Sequence, residues 1–565
     1  MRALIIDGYT DEPAGLGVPP YIDVYPRYVA GAIWAASPGA EVRYVTVDFA
    51  RANLSRVMEY ASRCDLVVFI TGVVVPGKYL GGEPIRLEEL VRWSSMIEGA
   101  VRVLGGPVAR FGYGAAGGRV AVPPERFKAY FDLVVSGDVE VVVYNLVKEG
   151  LRVEAVDPRE RREGYALVDE FAVKGARIVE QHPNIGWNLI AELETFRGCP
   201  RWVAGGCSFC IEPRYGAVEF REPEAVAREV EALHAYGVRH FRLGRQPDIL
   251  AYMGKGVNEV EFPEPRPEKL EELFRSVRRA APGLRVLHID NVNPGTIAHH
   301  REKAREALKV IVEYHTPGDV AALGVESADP KVVKANNLKA MPEDSLEAVR
   351  VINEVGARRG WNGMPELLPG INFVLGLRGE TRETYERNLE FLRRILEEGL
   401  LVRRVNIRQV LALPGTPMWT VGSRIVRAHK RLFKSFKRRV REEFDNPMLS
   451  RVVPRGTILR ELYVEAHEGK YSLARQVGSY PILVYIPERI PTAAKLDVTV
   501  VQHGYRSVKG IPYPLDVNRA SRESLLLVPG ITRSAVAEIL AKRPVSRELL
   551  ERIAGSEAAK FLTAS

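Results

Sequence analysis

Two successive series of apolar runs, separated by helical segments, constrain the fold of this 565-residue chain most strongly. The runs of the first series end in Gly, Asp or Pro and read RALIIDGY, EVRYVTVDF, DLVVFITGVVV, RVLGGPVA and FDLVVSGD. Almost continuously apolar strands that alternate with helices form parallel sheets covered on both faces. We therefore predict a doubly wound, Rossmann-like α/β domain over residues 1–178, whose ligand crevice lies at the carboxyl ends of its strands.

The second series, over residues 179–450, begins with NLIAELETF and continues with HFRLGR, RVLHIDNVN, VAALGVES, GINFVLGL and RRVNIRQVLA. Helical segments separate these runs, and no return strand interrupts the order. Five or six consecutive βα units predict a partial or full (β/α) barrel. Catalytic groups are then expected at the carboxyl ends of the barrel strands.

The pattern changes at residue 424, where a strongly basic amphipathic helix is predicted over residues 424–441. Short β-rich runs then predict a small β-barrel over residues 451–512, and residues 513–565 have the pattern of a helix, a tight Pro-Gly turn and a helix. The net charge of +9 permits a polyanionic partner. The basic helix has no acidic residue before Glu442 and stands beside both C-terminal modules, which favours contact with a polyanion over a solvated face.

Composition predicts a cytoplasmic protein. The N-terminal apolar run is too short for a secretion signal and is followed at once by acidic residues. No run reaches the roughly 18 apolar residues that a membrane span needs. Because the chain has only four cysteines, a disulfide scaffold is not expected either. These features together exclude a membrane partner from the prediction.

Three of the four cysteines, Cys199, Cys207 and Cys210, fall in one Gly-rich loop after the first predicted barrel strand. One interpretation is a zinc site, but structural zinc needs a fourth ligand, for which only Cys64 and His182 come into question. Cys64 begins a predicted strand of the other domain and is explained as a core thiol. Three thiolates with one open coordination position suit a [4Fe–4S] cluster better, so we predict that the three loop cysteines hold such a cluster.

This loop resembles that of radical S-adenosylmethionine (radical SAM) enzymes, which place three cysteines after the first barrel strand and an aromatic residue before the last. Phe209 has that position, although the spacing here is C-x7-C-x2-C instead of C-x3-C-x2-C. Later segments resemble strand ends and turns of the same superfamily, in the same order: LGVES (323–327), NFVLGLRGET (372–381) and LALPGTPMW (411–419).

The resemblance implies that S-adenosylmethionine binds the free iron of the cluster and is cleaved reductively to a 5′-deoxyadenosyl radical. An electron donor such as ferredoxin or flavodoxin is then a partner. Glu326 and Ser327 would bind polar groups of the cofactor, with a structural hydrogen bond as the alternative for Glu326. The other residues that the resemblance assigns to cofactor binding are Phe209, Gly244, Gln246, Gly376 and Gly379.

The N-terminal domain resembles the cobalamin-binding-like module that precedes many radical SAM domains. The segments that carry this resemblance are 17–36, 103–112 and 132–147. No histidine precedes His182, which excludes cobalamin ligated by the histidine of a D-x-H-x-x-G motif. Cobalamin without an axial histidine and a domain that has lost the cofactor both stay open.

The two C-terminal modules resemble nucleic-acid-binding modules. Residues 451–512 are similar to the TRAM-like barrel of tRNA-modifying radical SAM enzymes, and LLLVPGITRSAVAEIL (525–540) is similar to a helix-hairpin-helix, with Thr532 in place of the second Gly of its turn. A plain structural β module and a pair of packing helices are the alternatives. The candidate nucleic-acid contacts are Lys434, Lys437, Arg438, Arg475, Arg506 and Gly530, the last at a helix N-terminus that could accept a phosphate.

The sequence as a whole predicts a radical SAM enzyme that acts on a nucleic acid, either structured RNA such as tRNA or DNA. Further cysteines for an auxiliary cluster are absent, which disfavours a methylthiotransferase. Two alternatives remain: a cobalamin-assisted methyltransferase acting on a small or lipid-like substrate, and a non-catalytic nucleic-acid-binding protein stabilised by zinc.

Overall fold

The computed structural model describes residues 1–12, 15–73, 79–114 and 118–564. Residues 74 and 75, the last two of the predicted strand DLVVFITGVVV, lie outside these ranges. Within them, no helix combines the length and the apolar character that crossing a membrane requires.

The N-terminal domain alternates strands and helices, as predicted. Its strands are β1 (Arg2–Glu12), β2 (Gly15–Leu16), β3 (Tyr21–Ile22), β4 (Glu41–Thr46), β5 (Leu66–Val73), β6 (Val101–Gly105) and β7 (Leu133–Val134). Its helices are α1 (Val24–Ala36), α2 (Val47–Ala52), α3 (Leu54–Ala61), α4 (Leu87–Ser95), α5 (Pro107–Phe111), α6 (Val139–Lys148) and α7 (Ala166–Gly175).

A parallel sheet in the order β4-β1-β5-β6-β7 forms the centre of this domain, and β2 pairs antiparallel with the end of β1. Numbered along the chain, this is the doubly wound order 2-1-3-4-5. Alternate residues of β1 enter different cores: Ala3 and Ile5 pack on one face of the sheet, and Leu4 and Ile6 on the other. The Rossmann-like prediction is therefore confirmed.

The central domain contains the predicted series of βα units. Its strands are β8 (Ile190–Leu193), β9 (Phe196–Arg197), β10 (Glu219–Phe220), β11 (His240–Leu243), β12 (Val286–Ile289), β13 (Asn291–Val292), β14 (Asp319–Glu326), β15 (Leu367–Leu375) and β16 (Arg404–Gln409). Its helices are α8 (Pro223–Ala235), α9 (Pro267–Ala280), α10 (Pro294–His299), α11 (Arg301–Tyr314), α12 (Pro330–Ala335), α13 (Pro342–Gly356) and α14 (Arg382–Glu397).

β9 and β10 pair with each other antiparallel, and the other strands form, with β3, a partial barrel from two parallel sheets, β3-β8-β11-β12 and β13-β14-β15-β16. Only Asp290 separates β12 from β13, so the chain passes directly from one sheet to the other. The edge strand β3 comes from the N-terminal segment, before helix α1. Pairing of Tyr21 with Ile190 therefore joins the N-terminal domain to the first barrel strand.

The basic segment 424–441 is not one helix. It consists of α15 (Arg424–Ala428) and α16 (Lys430–Val440), and a π-helical turn (Arg441–Asp445) and α17 (Asn446–Val452) follow. His429 lies between α15 and α16. Its backbone N–H caps α15 on the carbonyl of Ile425, and its ring Nδ1 lies 2.8 Å from the Glu380 carboxylate. This anchored residue explains the break in the predicted helix.

The C-terminal part contains a closed β-barrel, as predicted, and a helical end. The barrel strands are β17 (Ile458–Glu468), β18 (Tyr471–Gln476), β19 (Leu483–Ile486), β20 (Lys495–His503) and β21 (Ser507–Tyr513), in the closed order β17-β18-β19-β21-β20. The remaining elements are β22 (Leu515–Asp516), α18 (Arg522–Leu527), α19 (Arg533–Ala541), α20 (Arg547–Ala559) and β23 (Leu562–Thr563). Helices α18 and α19 flank the predicted Pro-Gly turn.

The loop between β18 and β19, residues 477–482, enters the central domain; we call it the inserted loop. The backbone N–H of Ser479 donates to His288 Nδ1 at 2.8 Å, and the Ser479 hydroxyl donates to the carbonyl of Ile289 at 3.1 Å. The Tyr480 hydroxyl donates to Asp290 Oδ1 at 2.7 Å. The small barrel is thus fixed to the partial barrel by several buried hydrogen bonds and is not a loosely attached appendage.

Candidate active site

The three loop cysteines line one cavity of about 50 Å³, together with Arg201, Glu212, Pro213, Pro247, Asn291 and Lys339. All three are free cysteines; Cys199 and Cys207 are buried and Cys210 is half-buried. The loop follows β8 through the short strand β9, so it lies at the carboxyl end of the first barrel strand. The structure therefore brings together the three predicted cluster ligands.

The long interval between the first two cysteines has a defined conformation. Residues Pro200–Ala204 form a 3-10 turn, and Gly205 and Gly206 then adopt φ values of +79° and +66°. These left-handed conformations favour glycine because a Cβ atom is disfavoured there. The side-chain amide of Asn337 donates to the carbonyls of Ala204 and Gly206 at 2.8 and 2.9 Å. The extra residues of the C-x7-C spacing thus fold into a turn that Asn337 holds in place.

Positive charge surrounds the cysteines. The Arg201 guanidinium donates to the Cys207 sulfur at 3.0 Å, and Lys339 lines the same cavity. Burial raises the pKa of Cys199 to about 12, and the Lys339 ammonium opposes this rise. Because a thiol loses its proton when it binds a metal, nearby cations stabilise the ligand form. This set of three thiols flanked by two cations fits a [4Fe–4S] cluster.

The zinc alternative finds no fourth ligand at the cysteine cavity. Neither of the two candidates, His182 and Cys64, is among the described residues that line it. His182, the candidate fourth ligand, is buried and stacks on Tyr44 with 5.9 Å between ring centroids. Cys64 is buried in the core of the N-terminal domain, as predicted.

A second, much larger cavity of about 910 Å³ adjoins the cysteine cavity; we call it the main cavity. Cys207, Cys210, Asn291 and Lys339 line both. All three parts of the protein contribute walls: Asp11 comes from the N-terminal domain, Glu326 from the partial barrel and Tyr480 from the small barrel. The volume is in the range of small-molecule and cofactor sites. A cluster on the cysteines would therefore face a chamber that is large enough for S-adenosylmethionine and part of a substrate.

The charge of this main cavity is predominantly positive. Its described acidic lining residues are Asp11, Glu12, Asp290 and Glu326. Its described basic lining residues are Arg242, Lys339, Arg404, Arg408, Lys437, Arg441, Arg475 and Arg506. Low-dielectric walls of one predominant sign concentrate ions of the other sign. The cavity therefore suits an anionic ligand.

Glu326 ends strand β14 and points into the main cavity. A register shift between Leu323 and Glu326 precedes it, and Glu326 itself has φ +62°. Burial raises the pKa of the Glu326 carboxyl to about 7, whereas Lys339 and Arg408 lower it. Its Oε2 atom is buried without a hydrogen-bond partner in the described structure. An unsatisfied buried acceptor is costly, and the amino group of S-adenosylmethionine would be a suitable donor for it.

The structure separates the other predicted cofactor residues into two groups. Phe209 lines the main cavity with Glu326, whereas Gly244, Gln246, Ser327, Gly376 and Gly379 are absent from its described lining. Gln246 is fully buried and accepts from the Thr195 hydroxyl at 3.0 Å. A Cβ atom on Gly376 would lie 2.3 Å from the side chain of Val426, so this glycine permits close packing of α15. Contact of these five residues with the cofactor stays a prediction.

The candidate nucleic-acid residues also lie in different places. Lys434, Lys437 and Arg438 are exposed on α16, and Lys437 lines the main cavity together with Arg475 and Arg506 of the small barrel. At the hairpin, a Cβ atom on Gly530 would come within 3.2 Å of the Glu557 carboxyl carbon. This glycine therefore packs close to the Glu557 side chain, and contact of Gly530 with a phosphate stays a prediction.

Sequence reasoning missed the two cations of the cysteine cavity, Arg201 and Lys339. Arg201 lies between two of the cysteines, and a basic residue inside a thiolate loop was a signal for its role. Lys339 follows the two asparagines of ANNLKAM, and only the packing of that segment against the loop brings it to the thiols.

The main cavity also receives the carboxyl end of strand β1. Glu12 forms a buried ion pair with Arg245, and Asp11 accepts a hydrogen bond from the Tyr79 hydroxyl. No histidine lines the cavity among the described residues. The crevice of the N-terminal sheet thus presents carboxylates to the cavity.

The profile of the Radical SAM superfamily matches residues 193–392, which begin at the end of β8 and include the cysteine loop and Glu326. The chain belongs to the radical SAM superfamily. It is 45% identical over 518 residues to an uncharacterised protein of Methanocaldococcus jannaschii, and the match covers 90% of this chain and 93% of the relative. As a member of the radical SAM superfamily, the present protein is an enzyme whose cofactors are a [4Fe–4S] cluster and S-adenosylmethionine.

Two further similarities cover less of the chain or are weaker. A tRNA-2-methylthio-N(6)-dimethylallyladenosine synthase of Bacteroides thetaiotaomicron is 25% identical over 46% of this chain and 50% of that protein. The radical S-adenosylmethionine methyltransferase TsrM of Kitasatospora setae, solved with cobalamin and a [4Fe–4S] cluster, gives a TM-score of 0.46 at 14% identity, over 74% of this chain and 73% of TsrM.

Proposed function

We propose that this radical SAM enzyme modifies a nucleic acid, most directly a structured RNA such as tRNA. The observation that carries the proposal is that helix α16 borders both the solvent and the main cavity. Lys434, Lys437 and Arg438 are all exposed on this helix, and Lys437 also lines the main cavity, as does Arg441 at the following turn. A nucleic acid bound along the exposed side of α16 would have one of its nucleotides at the mouth of the main cavity.

The charges of α16 are available for such an interaction. Phe436 and Val440 bury the apolar side of the helix, which fixes the direction of the basic side. Among the described residues, no ion pair engages Lys434, Lys437 or Arg438. Unpaired lysine and arginine side chains on one face of a helix are typical of surfaces that bind phosphate backbones.

The residues of the cavity have separate roles in the proposed reaction. When bound, the cluster and S-adenosylmethionine supply one-electron cleavage and hydrogen abstraction, driven by an electron donor such as ferredoxin or flavodoxin. The three loop cysteines would hold the cluster, and the Glu326 carboxylate would accept from the cofactor amino group. Walls from three parts of the chain exclude water, which protects reactive species. A nucleotide would reach this enclosed site by leaving its stack, as in other enzymes that act on bases.

Binding of a tRNA-sized RNA as a function of salt tests the proposal. Each phosphate that a variant no longer neutralises should reduce the slope of log affinity against log salt by roughly 0.7–0.9. The double substitution Lys434→Gln with Arg438→Gln should therefore lower the slope by about 1.4–1.8. Arg126→Gln with Lys128→Gln removes the same charge from the exposed surface of the N-terminal domain and serves as the control. Equal effects of the two double variants would contradict a specific surface on α16.

A further inference from the structure

A side cavity of about 330 Å³ lies where the partial barrel, α17 and the small barrel meet. It shares Arg404, Arg475, Tyr480 and Arg506 with the main cavity, so the two cavities adjoin. Apolar residues such as Val402, Phe444 and Leu483 form its floor. The side cavity therefore borders the main cavity, and no cysteine is among its described lining residues.

Arginine dominates the polar lining of this compartment. Arg475 is paired with Glu465 at 2.6 Å, and Asp445, the acidic lining residue, is paired with Arg441. Among the described residues, Arg404 and Arg506 have no ion pair. The Arg404 guanidinium instead lies 3.8 Å from the centroid of the Tyr480 ring, and Arg506 donates to the carbonyl of Val405 at 3.3 Å.

The neighbouring arginines also repel one another. Burial lowers the pKa of Arg403 to about 9, and the nearby Arg404 and Arg506 lower it further. Burial lowers the pKa of Arg404 as well, with Arg408 contributing through charge repulsion. Like charges that are brought together in a partly buried site are stabilised by an anion between them.

We propose that the side cavity binds a phosphate group of the substrate, with Arg404 and Arg506 as its main ligands. Arginine presents a planar fork of donors that matches phosphate, and stacking on Tyr480 fixes the orientation of Arg404. Tyr505, half exposed at the same cavity, offers a ring on which a nucleobase can stack. The ligand class is thus a phosphorylated nucleoside, and this assignment deepens the proposed action on nucleic acid and rests on it.

Calorimetric titration of the purified full-length protein with uridine 5′-monophosphate, in the presence of S-adenosylmethionine, tests the site. Uridine avoids competition with the adenosine part of the cofactor. The monophosphate should bind, and unphosphorylated uridine should bind at least about tenfold more weakly, because a charge-assisted hydrogen bond contributes about that factor. Arg506→Gln should weaken binding of the monophosphate by a similar factor. Arg489→Gln, an exposed position of the same barrel, should leave it unchanged.

Equal binding of the monophosphate by Arg506→Gln and the parent protein would overturn the proposal, as would equal binding of uridine and its monophosphate. The trinucleotide UpUpU separates the two sources of phosphate. Tighter binding of the trinucleotide supports a phosphodiester of RNA in the side cavity. Tighter binding of the monophosphate supports the phosphate site with a free nucleotide as substrate. In that case the RNA proposal fails while the phosphate site stands, and the α16 variants should bind RNA with an unchanged salt dependence.

Discussion

The hydroxyl of Tyr480 should contribute measurably to closing the active-site chamber. Tyr480→Phe removes the 2.7 Å hydrogen bond to Asp290 and leaves the ring against Arg404 in place. Asp290 is 3% exposed and, among the described residues, keeps its ion pair with Arg242 in the variant. Since Tyr480 holds φ at +52°, a conformation that costs a non-glycine residue roughly 1–2 kcal/mol, the loop needs such anchors.

The size of the effect of Tyr480→Phe follows from the charge and burial of the hydrogen-bond acceptor, Asp290. A hydrogen bond to a charged group contributes about 1.5–3 kcal/mol, and the acceptor left behind here is buried. A loss of about 2 kcal/mol corresponds to roughly a 30-fold increase in the equilibrium for opening of the inserted loop. Tyr480→Ala should open it further, because the ring that packs against Arg404 is removed as well.

Hydrogen exchange measured by mass spectrometry on peptides that cover residues 477–482 reports this opening locally. That is an advantage in a protein of several domains, where global unfolding need not be two-state. Tyr485→Phe is the control, since its hydroxyl lies 3.4 Å from Glu468 on the outer surface and should contribute little. If Tyr480→Phe exchanged as slowly as the parent protein, the hydroxyl–carboxylate bond would not hold the loop and the reasoning would be refuted.

Three other outcomes are expected. Substitution of any one of the three loop cysteines by Ser should abolish the iron content and the charge-transfer absorbance of anaerobically reconstituted protein, whereas Cys64→Ser should leave both intact; retained iron in a loop variant would contradict the ligand assignment. Glu326→Gln should weaken binding of S-adenosylmethionine about tenfold in equilibrium dialysis without changing the iron content, and loss of iron would show a structural role instead. Burial lowers the pKa of His240 to about 4, so the unfolded chain takes up a proton below about pH 6.5 that the folded state does not. The free energy of unfolding should therefore fall as the pH drops from about 6.5 to 4, by about 1.4 kcal/mol per pH unit for this group. His240→Asn should flatten the pH dependence of the melting temperature in that range, and a slope identical to that of the parent protein would contradict the prediction.

The sequence predicted the architecture because parallel βα units leave a periodic signal. Apolar runs such as 370–377 became barrel strands, and the three cysteines converge because a single short loop carries them all. The basic helix was predicted at the right place but not its break, since the anchor of His429 on Glu380 joins residues that are distant in the chain. The inserted loop carried no such signal at all: Tyr480 reads as a surface aromatic until Asp290 and Arg404 are placed around it.

The sequence by itself determined the chemistry of this protein, because the ligand types and their spacing are local properties of one loop and a few strand ends. The shape and charge of the chamber in which that chemistry occurs were decided only by the tertiary structure. Arg475 and Arg506 look like ordinary β-barrel residues along the chain, yet they line the cavity because the small barrel docks against the partial barrel. Long-range packing decides whether a charged side chain lies at a cavity or on the outer surface, and no local sequence pattern predicts it.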